Sequence, residues 1–195
     1  MENGKTKLPK GAGKSSFELI ESKKITNTLP IKPGSIVLDL ACGKGAYSLF
    51  LSDIVGDNGL VYAVDLWEEG LLLLQERMNQ KGISNIMPLV ADATQHDQID
   101  IDDHSVDICL MATVLHDFEE AKQTDSVVKL VKNLLKPNGY LAVIEFKKVE
   151  GPPGPPIKIR LSEGEVDKMV SGYGFKKVKT ADIGNYNYLM TFKLV

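Results

Sequence analysis

From position 36 onward the apolar residues of this 195-residue chain fall into two alternating kinds of run. Short continuous runs rich in β-branched residues predict buried strands, and longer stretches with apolar residues three and four apart predict helices. Ile36 to Leu40 is the first strand, followed by glycines and a helix from about Ala46 to Val55. Leu60 to Val64 is the second strand, ending at Asp65. Glu68 to Lys81 is a helix with acids in its first turn and a lysine in its last, as the helix dipole favours. Ile86 to Ala91 is a third strand with Pro88 inside it, and Val106 to Met111 is a fourth. A long helix follows, with Val127, Val128, Val131, Leu134 and Leu135 on one stripe, and Lys136-Pro137-Asn138-Gly139 stops it. Tyr140 to Phe146 is the fifth strand. Ser162-Glu163-Gly164-Glu165 is a capping box that opens a helix to about Tyr173. Phe175 to Ala181 and Tyr186 to Leu194 then flank Asp182-Ile183-Gly184-Asn185 as a β-hairpin.

The remaining segments carry different signals. Residues 1–14 hold four lysines and three glycines and read as a mobile tail. Ser15 or Ser16 caps a short helix through about Asn27, with Phe17, Ile20 and Lys24 at helical spacing. Gly151-Pro152-Pro153-Gly154-Pro155-Pro156 has too few triplets for a triple helix and predicts a stiff polyproline connector. Near-continuous apolar strands alternating with helices imply a parallel sheet covered on both faces. The expected architecture is one α/β domain over residues 15–195. Its sheet is doubly wound and mostly parallel, with seven strands and a C-terminal antiparallel hairpin.

Composition narrows the function. Hydrophobic residues are 43% and charged residues 25%, which suits a globular core. A net charge of -3 lacks the footprint of a general nucleic-acid binder. The two cysteines, Cys42 and Cys109, have no metal-ligand spacing and read as small buried hydrophobes, so no metal is expected. The chain shows neither a secretory signal nor an apolar run of about 18 to 20 residues, the length of a membrane span, and a cytoplasmic protein is expected. Gly11-Ala12-Gly13-Lys14-Ser15 mimics the end of a phosphate-binding loop, but Leu8 stands where that pattern needs glycine and no strand precedes it.

The chemistry concentrates in Val37-Leu38-Asp39-Leu40-Ala41-Cys42-Gly43-Lys44-Gly45, at a strand-to-helix turn. Glycines there let a ligand approach the backbone closely. A Rossmann dinucleotide fingerprint would place a third glycine at position 48, where Ser48 stands. Asp39 points the same way. A pyrophosphate favours an uncharged, amide-rich turn, whereas a carboxylate suits a ligand carrying positive charge. Asp65 and Asp92 also end strands, so three successive strands finish on an acid. Each of these acids could instead be a turn residue.

The stretch D-L-A-C-G-K-G resembles the first motif of class I S-adenosylmethionine-dependent methyltransferases. Val64-Asp65-Leu66, Ala91-Asp92-Ala93, Asp102 to Asp107 and Leu135 to Tyr140 resemble the later motifs in order. Within the class, the chain is similar to small-molecule enzymes of the ubiquinone and arsenite methyltransferase neighbourhood. Arsenite methylation uses several cysteines, and two at predicted core strands or turns argue against that activity.

The resemblance implies a cofactor, S-adenosylmethionine, held by Asp39, Ala41, Gly43, Gly45, Asp65, Leu66, Asp92, Ala93 and Met111. Asp65 would accept the ribose hydroxyls and Asp92 the adenine amine. His116, just after the fourth strand, is the candidate general base if the acceptor must lose a proton; otherwise it is a capping or core histidine. Asp117 could orient it or cap the next helix. His96 and His104 lie in polar loops and read as solvated. No Asn/Asp-Pro-Pro-aromatic and no Pro-Cys follows the fourth strand, which argues against nucleic-acid amino or cytosine C5 methylation. The expected partner is a small-molecule acceptor. The alternatives are an NAD-dependent oxidoreductase on the same fold and a non-catalytic module that binds the cofactor.

Overall fold

The computed structural model describes residues 13–195. The lysine-rich tail therefore lies outside the described residues, except for Gly13 and Lys14. Five parallel strands form most of the sheet: β1 (Ile36–Leu40), β2 (Leu60–Asp65), β3 (Ile86–Val90), β4 (Val106–Ala112) and β5 (Leu135–Phe146). The hairpin strands β6 (Phe175–Asp182) and β7 (Asn187–Leu194) complete it antiparallel, in the order β3-β2-β1-β4-β5-β7-β6. The helices are α1 (Ser22–Thr26), α2 (Ala46–Val55), α3 (Glu68–Lys81), α4 (Leu115–Glu120), α5 (Thr124–Leu134) and α6 (Glu163–Ser171).

Alternation along the strands feeds two cores, one on each face of the sheet. Leu38, Leu40, Cys109 and Met111 pack with α5 and α6 on one face. Val37, Ile108 and Leu110 pack with α1, α2 and α3 on the other. Burial outweighs propensity in α5. Three valines disfavour the helix by about 0.5 kcal/mol each. Val127, Val128, Leu130, Val131 and Leu134 are all buried, at about 1.5–3 kcal/mol apiece. The strand order reverses between β1 and β4, and the carboxyl ends of these two strands form the crevice where such folds bind ligands.

Four local expectations are corrected. The helix expected from Ser15 or Ser16 to Asn27 is broken into a 3₁₀ turn, Phe17–Leu19, and α1. Ile20 is extended, and the Glu21 N–H donates to the Ile183 carbonyl at 2.7 Å, so the chain bonds to the hairpin instead of to itself. A Cβ on Gly184 would meet the Leu19 carbonyl oxygen at 2.5 Å, which is why the hairpin turn carries glycine there.

The long helix after β4 is two helices. Lys122, at φ 59°, ends α4; its N–H donates to Glu119 O and the Gln123 N–H to Phe118 O, a Schellman closure built without glycine. β5 starts at Leu135, not Tyr140, because Leu135 pairs with Val106 while Lys136 to Gly139 bulge out with Asn138 at φ 65°. The 151–156 segment is no polyproline rod: Gly151 and Gly154 have φ of 82° and 100°, and the loop wraps the Arg160 side chain. The capping box at Ser162 and Glu165 forms as read.

Candidate active site

Asp39 and Val37 share a strand face, so the Asp39 carboxyl points toward α2 beside the turn. It is 1% exposed, and its Oδ2 accepts the Ser48 hydroxyl at 2.6 Å. Its Oδ1 is buried and has no partner. Burial, helped by the charge of Asp65 and partly offset by Ser48, pushes its pKa up to about 7. A buried carboxyl oxygen left unbonded costs free energy unless a ligand completes it. Ser48, which fills the third-glycine position, is the residue that holds this acid.

The turn itself is left-handed at Ala41, Gly43 and Gly45 (φ 59°, 60° and 68°). Gly43 has open space where a Cβ would project, while a Cβ on Gly45 would strike Leu74 at 2.5 Å. Asp65 fixes the loop from the neighbouring strand: Oδ2 accepts Gly43 N–H at 2.7 Å and Oδ1 accepts Trp67 N–H at 2.8 Å. The Cys42 thiol is pushed up by burial and by the charges of Asp39 and Asp65, so it stays protonated.

A cavity of about 340 Å³ opens beside this turn. Asp39, Ala41, Gly43 and Tyr47 line one wall, and Ala112 and Thr113 at the end of β4 line another. The N-terminal segment closes it with Ser16 and Phe17. Phe17 meets Tyr47 edge-on at 5.1 Å. Lys14, Lys44 and Arg77 bring positive charge to the same cavity. Thr113 sits at φ 56°, an outlier for a β-branched residue that costs on the order of 1–3 kcal/mol. Its N–H, bonded to Ile144 O at 2.7 Å, holds it there.

The other expected site residues are placed as follows. Leu66 is 59% exposed at the end of β2. Asp92 Oδ1 accepts both the backbone and the hydroxyl of Thr94, and Ala93 is buried. Met111 lies wholly in the core, so Ala112 and Thr113 form the cavity wall at that strand. His116 is buried. Its Nδ1 lies 2.8 Å from Glu145 Oε2, its backbone N–H donates to Glu145 Oε1, and it does not line the cavity. Val114, not Asp117, is the N-cap of α4. His96 is exposed beside Asp103, whereas His104, read as solvated, bonds Leu135 O at 3.1 Å. Ser16, Tyr47, Thr113 and Glu145 carry no motif, and sequence reasoning missed them.

Residues 31–179, most of the chain, match a family described as a methyltransferase domain. The chain belongs to that methyltransferase family. The methyltransferase domain superimposes on a SAM-dependent methyltransferase from Aquifex aeolicus with a TM-score of 0.83 and 31% identity, covering 95% of this chain and 96% of that one. It is 28% identical to a demethylmenaquinone methyltransferase of Lactobacillus johnsonii over 86% of its length. It is also 28% identical to a ubiquinone/menaquinone biosynthesis C-methyltransferase of Ectopseudomonas mendocina over 82% of its length. These matches span 64% and 58% of the two curated relatives, so the methyltransferase domain covers less than two thirds of either. Among the described residues no helix is long and apolar enough to cross a membrane, and no cluster of side chains could hold a metal ion.

Proposed function

We propose that the chain transfers a methyl group from S-adenosylmethionine to a small-molecule acceptor. The observation that carries this is the buried, unpartnered Asp39 Oδ1 on the cavity wall. It suits the α-ammonium of the cofactor's amino-acid end and repels a pyrophosphate. The open space over Gly43 allows close approach of that end. Asp65 would reach the ribose while keeping its two backbone bonds, since each carboxylate oxygen accepts more than once. Asp92 and exposed Leu66 would edge the adenine. When bound, the sulfonium supplies an already activated methyl, so the protein's share is to place the acceptor and exclude water. The N-terminal segment over the cavity serves that second task.

In this reading His116 holds the start of α4 against Glu145, behind Thr113, and does not remove a proton. The relatives named for quinone biosynthesis support a small organic acceptor. Calorimetry with S-adenosylmethionine, S-adenosylhomocysteine and NAD tests the cofactor: the first two bind and NAD does not. NAD binding alone would replace this reading with the oxidoreductase. Formation of S-adenosylhomocysteine with a metabolite pool separates an enzyme from a binding module.

A further inference from the structure

Three hydroxyls from three distant parts of the chain meet on the cavity wall. Ser16 Oγ lies 2.8 Å from Tyr47 Oη and 3.3 Å from Thr113 Oγ1. Ser16 and Tyr47 are buried, at 2% and 5% exposure. The three groups carry three protons, and the two contacts within the chain use two of them. Whichever way the chain is oriented, one O–H remains a donor, and no other acceptor meets it among the described residues. The surroundings are apolar on one side, with Phe17 edge-on to Tyr47 and Ala112 beside Thr113, so a donated hydrogen bond is strong there. The strained backbone of Thr113 fixes one end of the chain of hydroxyls at the cavity.

Lys14, Lys44 and Arg77, which line the cavity together with Glu18, match the cofactor's carboxylate by charge. That leaves the spare donor for the second reactant. We propose, on the footing of the methyltransferase reading, that Ser16, Tyr47 and Thr113 bind the acceptor and select one that presents an oxyanion, an enolate or phenolate. The chain of hydroxyls donates and does not act as a base, since burial pushes the Tyr47 hydroxyl up and keeps it protonated. No base is needed for such an acceptor. One bond forms from its oxygen, or from the carbon conjugated to it as the carbonyl re-forms. The sulfur–methyl bond breaks and its electron pair stays on sulfur as a neutral thioether. The negative charge of the acceptor and the positive charge of the donor cancel.

The test uses the full chain saturated with S-adenosylhomocysteine and titrated with 4-nitrophenol, whose absorbance reports the phenolate; nitrobenzene is the control without the oxygen. Wild type is expected to bind the phenol, ionise it at lower pH than in free solution, and ignore nitrobenzene. Thr113→Val and Tyr47→Phe should weaken phenol binding roughly tenfold to a hundredfold while S-adenosylhomocysteine affinity stays within about threefold. Thr113→Ser, which keeps the hydroxyl, should retain it, and unchanged melting temperatures would show that the variants fold. Equal binding of nitrobenzene, or no phenol binding by the S-adenosylhomocysteine complex, overturns the proposal while leaving the cofactor reading intact. So does loss of S-adenosylhomocysteine affinity with phenol binding preserved, which would assign the hydroxyls to the cofactor's carboxylate. If wild type fails to bind S-adenosylhomocysteine at all, the methyltransferase reading itself falls.

Discussion

Asp39→Asn should strengthen the fold and weaken the site at once. In the unfolded chain the acid ionises near its ordinary 3.8, but in the fold it does so only near 7. Protonated Asp39 therefore favours the folded state, and that contribution is lost as pH rises from about 4 to about 7. The full loss is roughly 4 kcal/mol above pH 7, of which about 3 kcal/mol falls between pH 5 and pH 8. Asparagine keeps the shape and carries no such pH dependence. Urea melts of the ligand-free proteins should show the Asn variant gaining on wild type by about 1.4 kcal/mol per pH unit between about pH 4 and pH 7, then running parallel.

Ligand binding should move the other way. Losing a charge-assisted bond to the ammonium costs about 1.5–3 kcal/mol, or roughly ten- to hundredfold in S-adenosylhomocysteine affinity at pH 8. Wild-type affinity should fall as pH drops below 7, because the carboxyl must shed its proton to pair with the ammonium, and calorimetry in two buffers would count that proton. Stability curves of the two proteins that stay parallel from pH 5 to pH 8 would refute the burial argument. Equal S-adenosylhomocysteine affinity would refute the role assigned to Oδ1.

Gly43→Val should fold, because its side chain projects into open space, but with about 1–2 kcal/mol of left-handed strain and no detectable S-adenosylhomocysteine binding; near wild-type binding would place the ligand elsewhere. Arg160→Lys should lower the melting temperature by roughly 6–12 °C, the equivalent of about 3 kcal/mol. The guanidinium is 2% exposed and its five N–H groups serve the carbonyls of Lys147, Val149, Gly151, Pro153 and Pro155, which an ammonium cannot span. An unchanged melting temperature would show that the loop stands without it. His116→Gln should cost about 1–3 kcal/mol of stability through the unmet Glu145 carboxylate and change turnover less than about tenfold. A loss of roughly 10²- to 10⁴-fold in kcat in a folded variant would restore the general-base role.

The legible features were those written in consecutive residues. The run Ile36–Leu40, the glycine turn after it and the Ser162 capping box all act through neighbours in sequence, and they stand where the pattern put them. Asp39 was legible by its place, and Ser48 by the glycine it replaces. What escaped depends on long-range backbone partners. Nothing near Glu21 announces that its N–H is bonded to Ile183, so the first helix looks continuous. Lys122 takes a left-handed conformation normally marked by glycine, so the break between α4 and α5 is silent. Arg160 looks like any surface arginine because its partners are main-chain carbonyls. Ser16 and Thr113 are 97 residues apart and belong to no motif, so only the folded chain brings their hydroxyls together.

The docking of Glu21 on Ile183, and of Leu19 against Gly184, gives the reaction cavity an unusual dependence on chain order. As the polypeptide leaves the ribosome, the glycine turn and Asp39 can form long before the hairpin that carries Ile183 is made. Until that hairpin pairs with β5, the segment bearing Ser16 has its contacts to Tyr47 and Thr113 but not its backbone bond to Ile183, so the cover of the cavity is held at one end only. A partly synthesised or C-terminally clipped chain would keep the acid but lose one of the two anchors of the cover that encloses the cavity. Closure of the site therefore reports that both edges of the polypeptide have found each other.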